Sequence, residues 1–417
     1  MTTPANNLVD ASEGFFAIAN SPEFRDDPYV FYKMLRDATP RLRTDFGLWF
    51  LSTYADAAAV LRDPHNSSDE KHSNLYEFFT EQARENGREL AVFDIPVMLF
   101  MDPPDHTRVR GLVQQAFTPR MVEQIRPRAQ QLVDELLDAV AARGDNTFDV
   151  VTDLAYPLPV TIICQLLGVP VADHHRFAEW SQTLSRAIDP SPIRSPELET
   201  EITLAGVAFF EYFDALLNER RGAPGDDLLS ALIAAEAEGD RLDGQELFGC
   251  ALLLLIAGHE TTVNLIGNGT LALLRDRDQL NRLRDDPSIA RVAVDELLRY
   301  DSPIQMTQRI ALEPFELGDG EVVAPGEQMI VMLGAANRDP AAFDDPNRLD
   351  VARAEARRHL SFGGGIHHCL GAALARVEGE VALSTLVRRF PGLDLAGEPE
   401  RRPNFTLRGL ATLPVSH

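Results

Sequence analysis

The residues best suited to chemistry lie together in Ser361-Phe362-Gly363-Gly364-Gly365-Ile366-His367-His368-Cys369-Leu370-Gly371. Three consecutive glycines permit positive φ and let the backbone pass close to a large planar group. Cys369 stands just ahead of a helical pattern, where free N–H groups and the helix dipole favour a thiolate. A thiolate held there can serve as an axial haem ligand, and its electron donation favours O–O cleavage. Other readings fit less well. A phosphate loop would need G-x-G-x-x-G, but His368 occupies the last glycine position. Zinc could use His367, His368 and Cys369, yet adjacent ligands are unusual and no second CxxC pair exists. An inert buried cysteine remains the plain alternative.

A second cluster, Ala257-Gly258-His259-Glu260-Thr261-Thr262, falls in the middle of the longest helical pattern. Ala257 and Gly258 carry little side chain, so a flat cofactor and dioxygen could approach there. Glu260 and Thr261 put an acid beside a hydroxyl, the pair needed to hand protons to oxygen as it is reduced. A mid-helix threonine can also bond back to the carbonyl four residues earlier and loosen the helix. The metalloprotease reading H-E-x-x-H fails, because the fifth position is Val263. The plain alternative is a core threonine beside a solvated glutamate.

Phe362, Gly363, Gly365, His367, Cys369 and Gly371 fill every fixed position of F-G-x-G-x-H-x-C-x-G, so the chain resembles the cytochrome P450 family. Glu296-Leu297-Leu298-Arg299 looks like that family's E-x-x-R element, and Ala257–Thr262 looks like its oxygen-activation motif. Asn337-Arg338-Asp339-Pro340 and Phe343-Asp344-Asp345-Pro346 are similar to the stretch leading to its haem loop. The resemblance implies haem b ligated by the Cys369 thiolate, with Ala257, Gly258, Phe362, Gly363 and Gly371 close to it. His106 and Arg110 share a helix face, four residues apart after Pro103-Pro104, and match the family's propionate-binding helix. Arg309 and His367 resemble its other propionate contacts. Glu296 and Arg299, at i and i+3, are expected to form a buried structural ion pair.

The implied activity is a monooxygenase that inserts one atom of O2 into an apolar small organic substrate, by hydroxylation or epoxidation. No flavin or nicotinamide domain is visible, so electrons are expected from separate proteins, a ferredoxin and its reductase. A peroxide-using hydroxylase is the nearest rival; it has no need of the Glu260–Thr261 pair. A non-catalytic haem sensor is the rival from another class. The substrate pocket is expected to draw on Phe93, Leu253, Leu254, Ile304 and Phe405, with residues 72–100 and the link Pro190–Pro196 as mobile lid segments. Apolar linings of this sort suit many substrates alike.

These groups need a scaffold. Helical patterns run over about 28–40, 75–85, 104–117, 119–143, 154–167, 173–187, 198–221, 243–275, 288–300 and 370–389. Strands are expected at Arg41–Arg43, Leu48–Ser52 and Gln328–Leu333, with a hairpin over Phe315–Val323. The fold class is mainly α with small β-sheets, the haem lying between the long central helix and the helix after the cysteine loop. At 417 residues length alone would allow two or three domains, but motifs from His106 to Gly371 must converge, so residues 1–417 read as one haem domain without a fused reductase. Hydrophobic residues form 45% of the chain, enough for a core of that size.

A balance of 39 basic to 64 acidic residues, net −25, makes nucleic acid and anionic membranes poor partners. Three scattered cysteines imply no disulfide framework. The opening MTTPANNLVDASEGFF has neither a basic nor an apolar signal region. The most apolar run, Cys250–Gly258, is about half of the ~18 residues a membrane span needs. A cytoplasmic protein is expected.

Overall fold

The computed structural model describes residues 21–85, 95–189, 194–236 and 242–417. Its axis is the central helix Gly244–Arg275, 32 residues long. Asp243 starts it as a capping box: its carboxylate accepts from the N–H groups of Gln245 and Glu246, and Glu246 reaches back to the Asp243 N–H. This helix is long and apolar enough to cross a membrane, but 61% of its most apolar window is buried within the fold. The residues of its second half, Thr262 to Leu274, are buried without a break, the signature of a core helix in this setting.

Around it pack the helices Pro119–Ala142, Pro157–Leu166, His174–Ser185, Pro196–Gly222, Ala290–Tyr300 and the C-terminal helix Ala372–Arg389. The C-terminal helix comes close because Gly379 has no side chain: a Cβ there would lie 3.0 Å from Leu265 and 3.3 Å from Val294. One main hydrophobic cluster joins these helices. A second cluster lies under a five-stranded sheet ordered Arg41–Arg43, Leu48–Leu51, Gln328–Val331, Thr307–Ala311, Asn66–Ser67. Within that sheet Leu48–Leu51 pairs in parallel with Gln328–Val331, a long-range register that no local pattern specifies.

The expected hairpin forms at Phe315–Glu316 and Val322–Val323. Among the described residues five α-helices escaped the sequence reading: Pro22–Asp26, Tyr54–Arg62, Leu228–Glu236, Arg277–Asp285 and Leu333–Ala336. They run from four to nine residues, so none gives more than about two and a half turns of periodicity.

Glu296 and Arg299 are fully buried and do more than pair with each other. Arg299 donates two bonds to Glu296, 2.6 and 2.8 Å, and one each to the carbonyls of Asn337 and Pro346. Glu296 also accepts from Arg353 and from the Asp350 N–H. Asn337 then donates to Ser302 and Ser361 and accepts from the Leu360 N–H at 2.7 Å. A continuous set of bonds therefore runs from the Ala290–Tyr300 helix to the first residue of the cysteine loop, with charges that pair and hydrogen-bond fully.

Candidate active site

The cysteine loop bends through Gly363 at φ +68° and Gly365 at φ +62°. Their role differs from the expected one. A Cβ at 365 would sit 2.2 Å from the Leu61 carbonyl oxygen, and one at 364 would lie 3.3 Å from the Leu61 Cβ. The glycines let the loop press on the Tyr54–Arg62 helix, rather than serving only approach to a planar group. The Cys369 N–H donates to the Phe362 carbonyl at 2.9 Å and closes the loop. The Phe362 ring carries the Arg376 guanidinium 4.6 Å from its centroid.

Cys369 has free surface yet is surrounded by protein, so it forms part of the wall of an internal space. Burial dominates and pushes its thiol up. The N–H groups of Gly371 and Ala372 and the charges of Arg110 and Arg376 act the other way. Cys164 and Cys250 are buried, and burial raises both thiols to about 12.

Four basic side chains meet near this loop. His106 and His367 lie with ring centroids 4.2 Å apart, and the Nε2 of each is buried without a hydrogen-bond partner. Burial lowers both pKa values, to about 3 for His367, and Arg309 and Arg110 depress them further. Arg309 is itself buried, which brings it down to about 10. It bonds only the Gln308 carbonyl, and Arg110 bonds only the His368 carbonyl at 2.6 Å; neither pairs with a carboxylate among the described residues. Among the described residues Asp102 is the one carboxylate whose charge reaches His106 and Arg309, and it bonds Ser67 and Ser68 instead; a nest of guanidinium groups and orphaned ring nitrogens calls for further carboxylates from a ligand.

On the central helix Leu253, Ala257 and Thr261 follow one another at i, i+4 and i+8. Ala257 is exposed and the other two are half-buried, so this face borders open space, while Leu255, His259 and Glu260 are buried. Thr261 donates its hydroxyl to the Ala257 carbonyl at 2.6 Å, leaving oxygen lone pairs toward that space. Two expectations need correction here. A Cβ at Gly258 would meet Ile163 at 3.5 Å, so Gly258 faces the Pro157–Leu166 helix, not a cofactor. Glu260 does not stand beside the Thr261 hydroxyl either: it is buried on another face and ion-paired with Arg402. Burial raises the Glu260 carboxyl and Arg402 opposes the rise. His259 is buried, with Nδ1 2.8 Å from the Ser181 hydroxyl, and burial lowers it to about 3.

The model of the family described as "Cytochrome P450" matches residues 50–291 and 284–416. The chain belongs to the cytochrome P450 family. It is 41% identical over 409 residues to cytochrome P450 CYP107DY1 of Priestia megaterium, covering 95% of this chain and 97% of that protein. It is 42% identical over 402 residues to the cytochrome P450 monooxygenase PikC of Streptomyces venezuelae, covering 94% and 92%. Among solved structures, ligand-free CYP164A2 of Mycobacterium smegmatis superposes with a TM-score of 0.88 at 42% identity, covering 97% of this chain and all of that one.

This P450 is a haem-thiolate monooxygenase. When bound, the haem activates O2 so that one oxygen atom enters a substrate, with electrons delivered by redox partners. The residues present fit that group: a cysteine at the head of a helix, and a cationic nest suited to two carboxylates.

The expected substrate wall is only partly met. Leu253, Leu254 and Ile304 are half-buried, with surface to spare. Phe405 is 5% exposed and its ring stacks on Phe24 at 5.9 Å, so it belongs to the core around the N-terminal helices rather than to an open wall. Phe93 lies outside the described residues, as do residues 86–94 and 190–193 of the expected lid. Two buried groups were missed from sequence: Arg402, whose partner is 142 positions away, and Glu378. On the C-terminal helix Glu378 is 1% exposed and neither carboxyl oxygen has a hydrogen-bond partner. Its nearest polar neighbour, Thr262, turns its hydroxyl to the Gly258 carbonyl instead.

Proposed function

We propose that Cys369 is the thiolate ligand of the haem iron, with Phe362, Gly363 and Gly371 shaping the loop that presents it. In this reading His106, Arg110, Arg309 and His367 bind the two propionates. What carries it is the set of four basic groups gathered beside Cys369, two ring nitrogens without a hydrogen-bond partner and two guanidinium groups that bond only carbonyls among the described residues. Ala257 leaves room for oxygen and substrate beside the central helix. Thr261 Oγ1 orders hydrogen bonds at that face, since its own proton is engaged by Ala257. Glu260, ion-paired with Arg402, must leave that partner or act through water to take up a proton and relay it to that face.

The substrate is a bulky apolar molecule bordered by Leu253, Leu254 and Ile304. A ferredoxin and its reductase supply the electrons, in the cytoplasm, to a chain that works as one haem domain. The deciding experiment is the carbon monoxide spectrum of the reduced protein. The red-shifted Soret band of thiolate ligation should survive in Cys164→Ala and Cys250→Ala and vanish in Cys369→Ala. A band that persists in Cys369→Ala overturns the assignment.

A further inference from the structure

Asp189 ends the short turn Arg186–Ile188 that follows the His174–Ser185 helix, and it is buried. Its carboxylate accepts from the N–H of Thr406 at 2.7 Å and from the N–H of Phe405 at 3.1 and 3.2 Å. Two successive amides thus converge on one carboxylate borrowed from an element more than 200 positions away. The other edge of the same segment is tied to the expected substrate wall: Ile304 bridges to Leu407, and the Gln305 N–H donates to the Thr406 carbonyl at 2.9 Å. Arg194 completes the arrangement by donating to the Ala187 carbonyl at 2.9 Å and pairing with Glu199. The Phe405–Leu407 segment is therefore held between Ile304 on one side and the end of a surface helix on the other.

Such a contact is expensive to leave half-made. Burial opposes the ionised carboxylate, while the two N–H groups and Arg194 favour it. Removing it strands two buried backbone donors, and buried donors are almost always satisfied. We infer that Asp189 is a positioning residue for substrate, a clasp that makes the end of the His174–Ser185 helix and the Ile304–Leu407 wall move as one body. It acts through Phe405 and Thr406, setting how wide the wall opens and so which sizes of ligand enter. The inference rests on the proposed haem and substrate site.

The test uses the haem-loaded protein with two iron-binding probes, imidazole and the bulky azole econazole, and the variants Asp189→Asn, Asp189→Ala and Asp189→Glu. Stopped-flow absorbance gives association and dissociation rates for each. Loss of a charge-assisted bond predicts that Asp189→Ala speeds econazole exchange by about tenfold while imaging little change, under about twofold, for imidazole. Asp189→Asn, which keeps the shape and one acceptor, should fall between, and Asp189→Glu should recover part of the wild-type ratio. Equal effects on both probes, or none on either, overturn the clasp. Should Asp189→Ala not fold, the econazole-to-imidazole ratio in Asp189→Asn decides alone. The carbon monoxide band is recorded on every variant. If it is absent from the wild type, the haem assignment has failed; if it is intact with an unchanged ratio, only the clasp has failed.

Discussion

Glu378 offers a quantitative check on how the core is built. Desolvation pushes its carboxyl up to about 8, with Thr262 only slightly opposing, against about 4.3 to 4.5 in an unfolded chain. The folded protein therefore keeps a proton that the unfolded chain gives up. For an acid whose folded pKa is raised, its stability is whole below pH 4.5 and drains away as pH climbs toward 8. Over the interval to pH 7 linkage at about 1.4 kcal/mol per unit sets the loss at up to about 3 kcal/mol. Glu378→Gln keeps the volume and removes the titration. It brings its own cost for a buried amide, but that cost does not vary with pH. Urea unfolding of the haem-loaded protein, at matched m-value, gives the difference in stability between variant and wild type at each pH. That difference should move in favour of Glu378→Gln by more than about 1 kcal/mol from pH 5 to 7.5. An infrared carbonyl band of a neutral carboxylic acid should be present in wild type at pH 7 and lost in the variant. Parallel pH profiles, together with no such band, would refute the reasoning: the carboxyl would then be ionised and solvated.

Thr261→Ala should retain haem and the carbon monoxide band but divert reducing equivalents into peroxide or water, read as product formed per NAD(P)H consumed. Glu260→Gln frees Arg402 from its partner and should slow turnover more than it weakens ligand binding, measured as kcat against the spectral Kd. Arg299→Ala leaves the Glu296 carboxylate with Arg353 and the Asp350 N–H alone and unbonds the carbonyls of Asn337 and Pro346, which should cost about 3 kcal/mol in urea unfolding, with haem lost on gel filtration. Arg108 pairs with Glu246 and Arg376 with Asp295, whereas Arg120 is exposed. Arg120→Ala should slow reduction by ferredoxin at low salt, and the difference should disappear as ionic strength rises toward 1 M.

What could be read from sequence was whatever lies close along the chain. The cysteine loop, the central helix with its Asp243 cap, and the i, i+4 pair His106 and Arg110 are local patterns, and each lies where its spacing put it. The failures all involve partners far away in sequence. Nothing near Glu260 announces Arg402, and nothing near Gly364 or Gly365 says that Leu61 will lie against them. Phe405 looks like any pocket aromatic until Phe24 is seen stacked on it. Glu378 reads as a solvated helix residue, because a helical repeat does not say which face a neighbouring helix will cover. Helix direction was legible; helix neighbours were not.

The order in which the site residues leave the ribosome follows from their spread. His106 and Arg110 emerge early, the Ala257–Thr261 face next, then Arg309, and His367 with Cys369 only near the end. The bonds from Glu296 through Asn337 to Ser361 wait on the same late stretch. Until then the early cations have no loop to close over a ligand. On the proposed assignment of Cys369, haem capture is a closing event in the life of the nascent chain, and a ribosome stalled before Cys369 leaves a product with half of the proposed binding site. Supply of the cofactor has to meet finished chains, so under haem shortage the cell should accumulate full-length apoprotein rather than truncated intermediates.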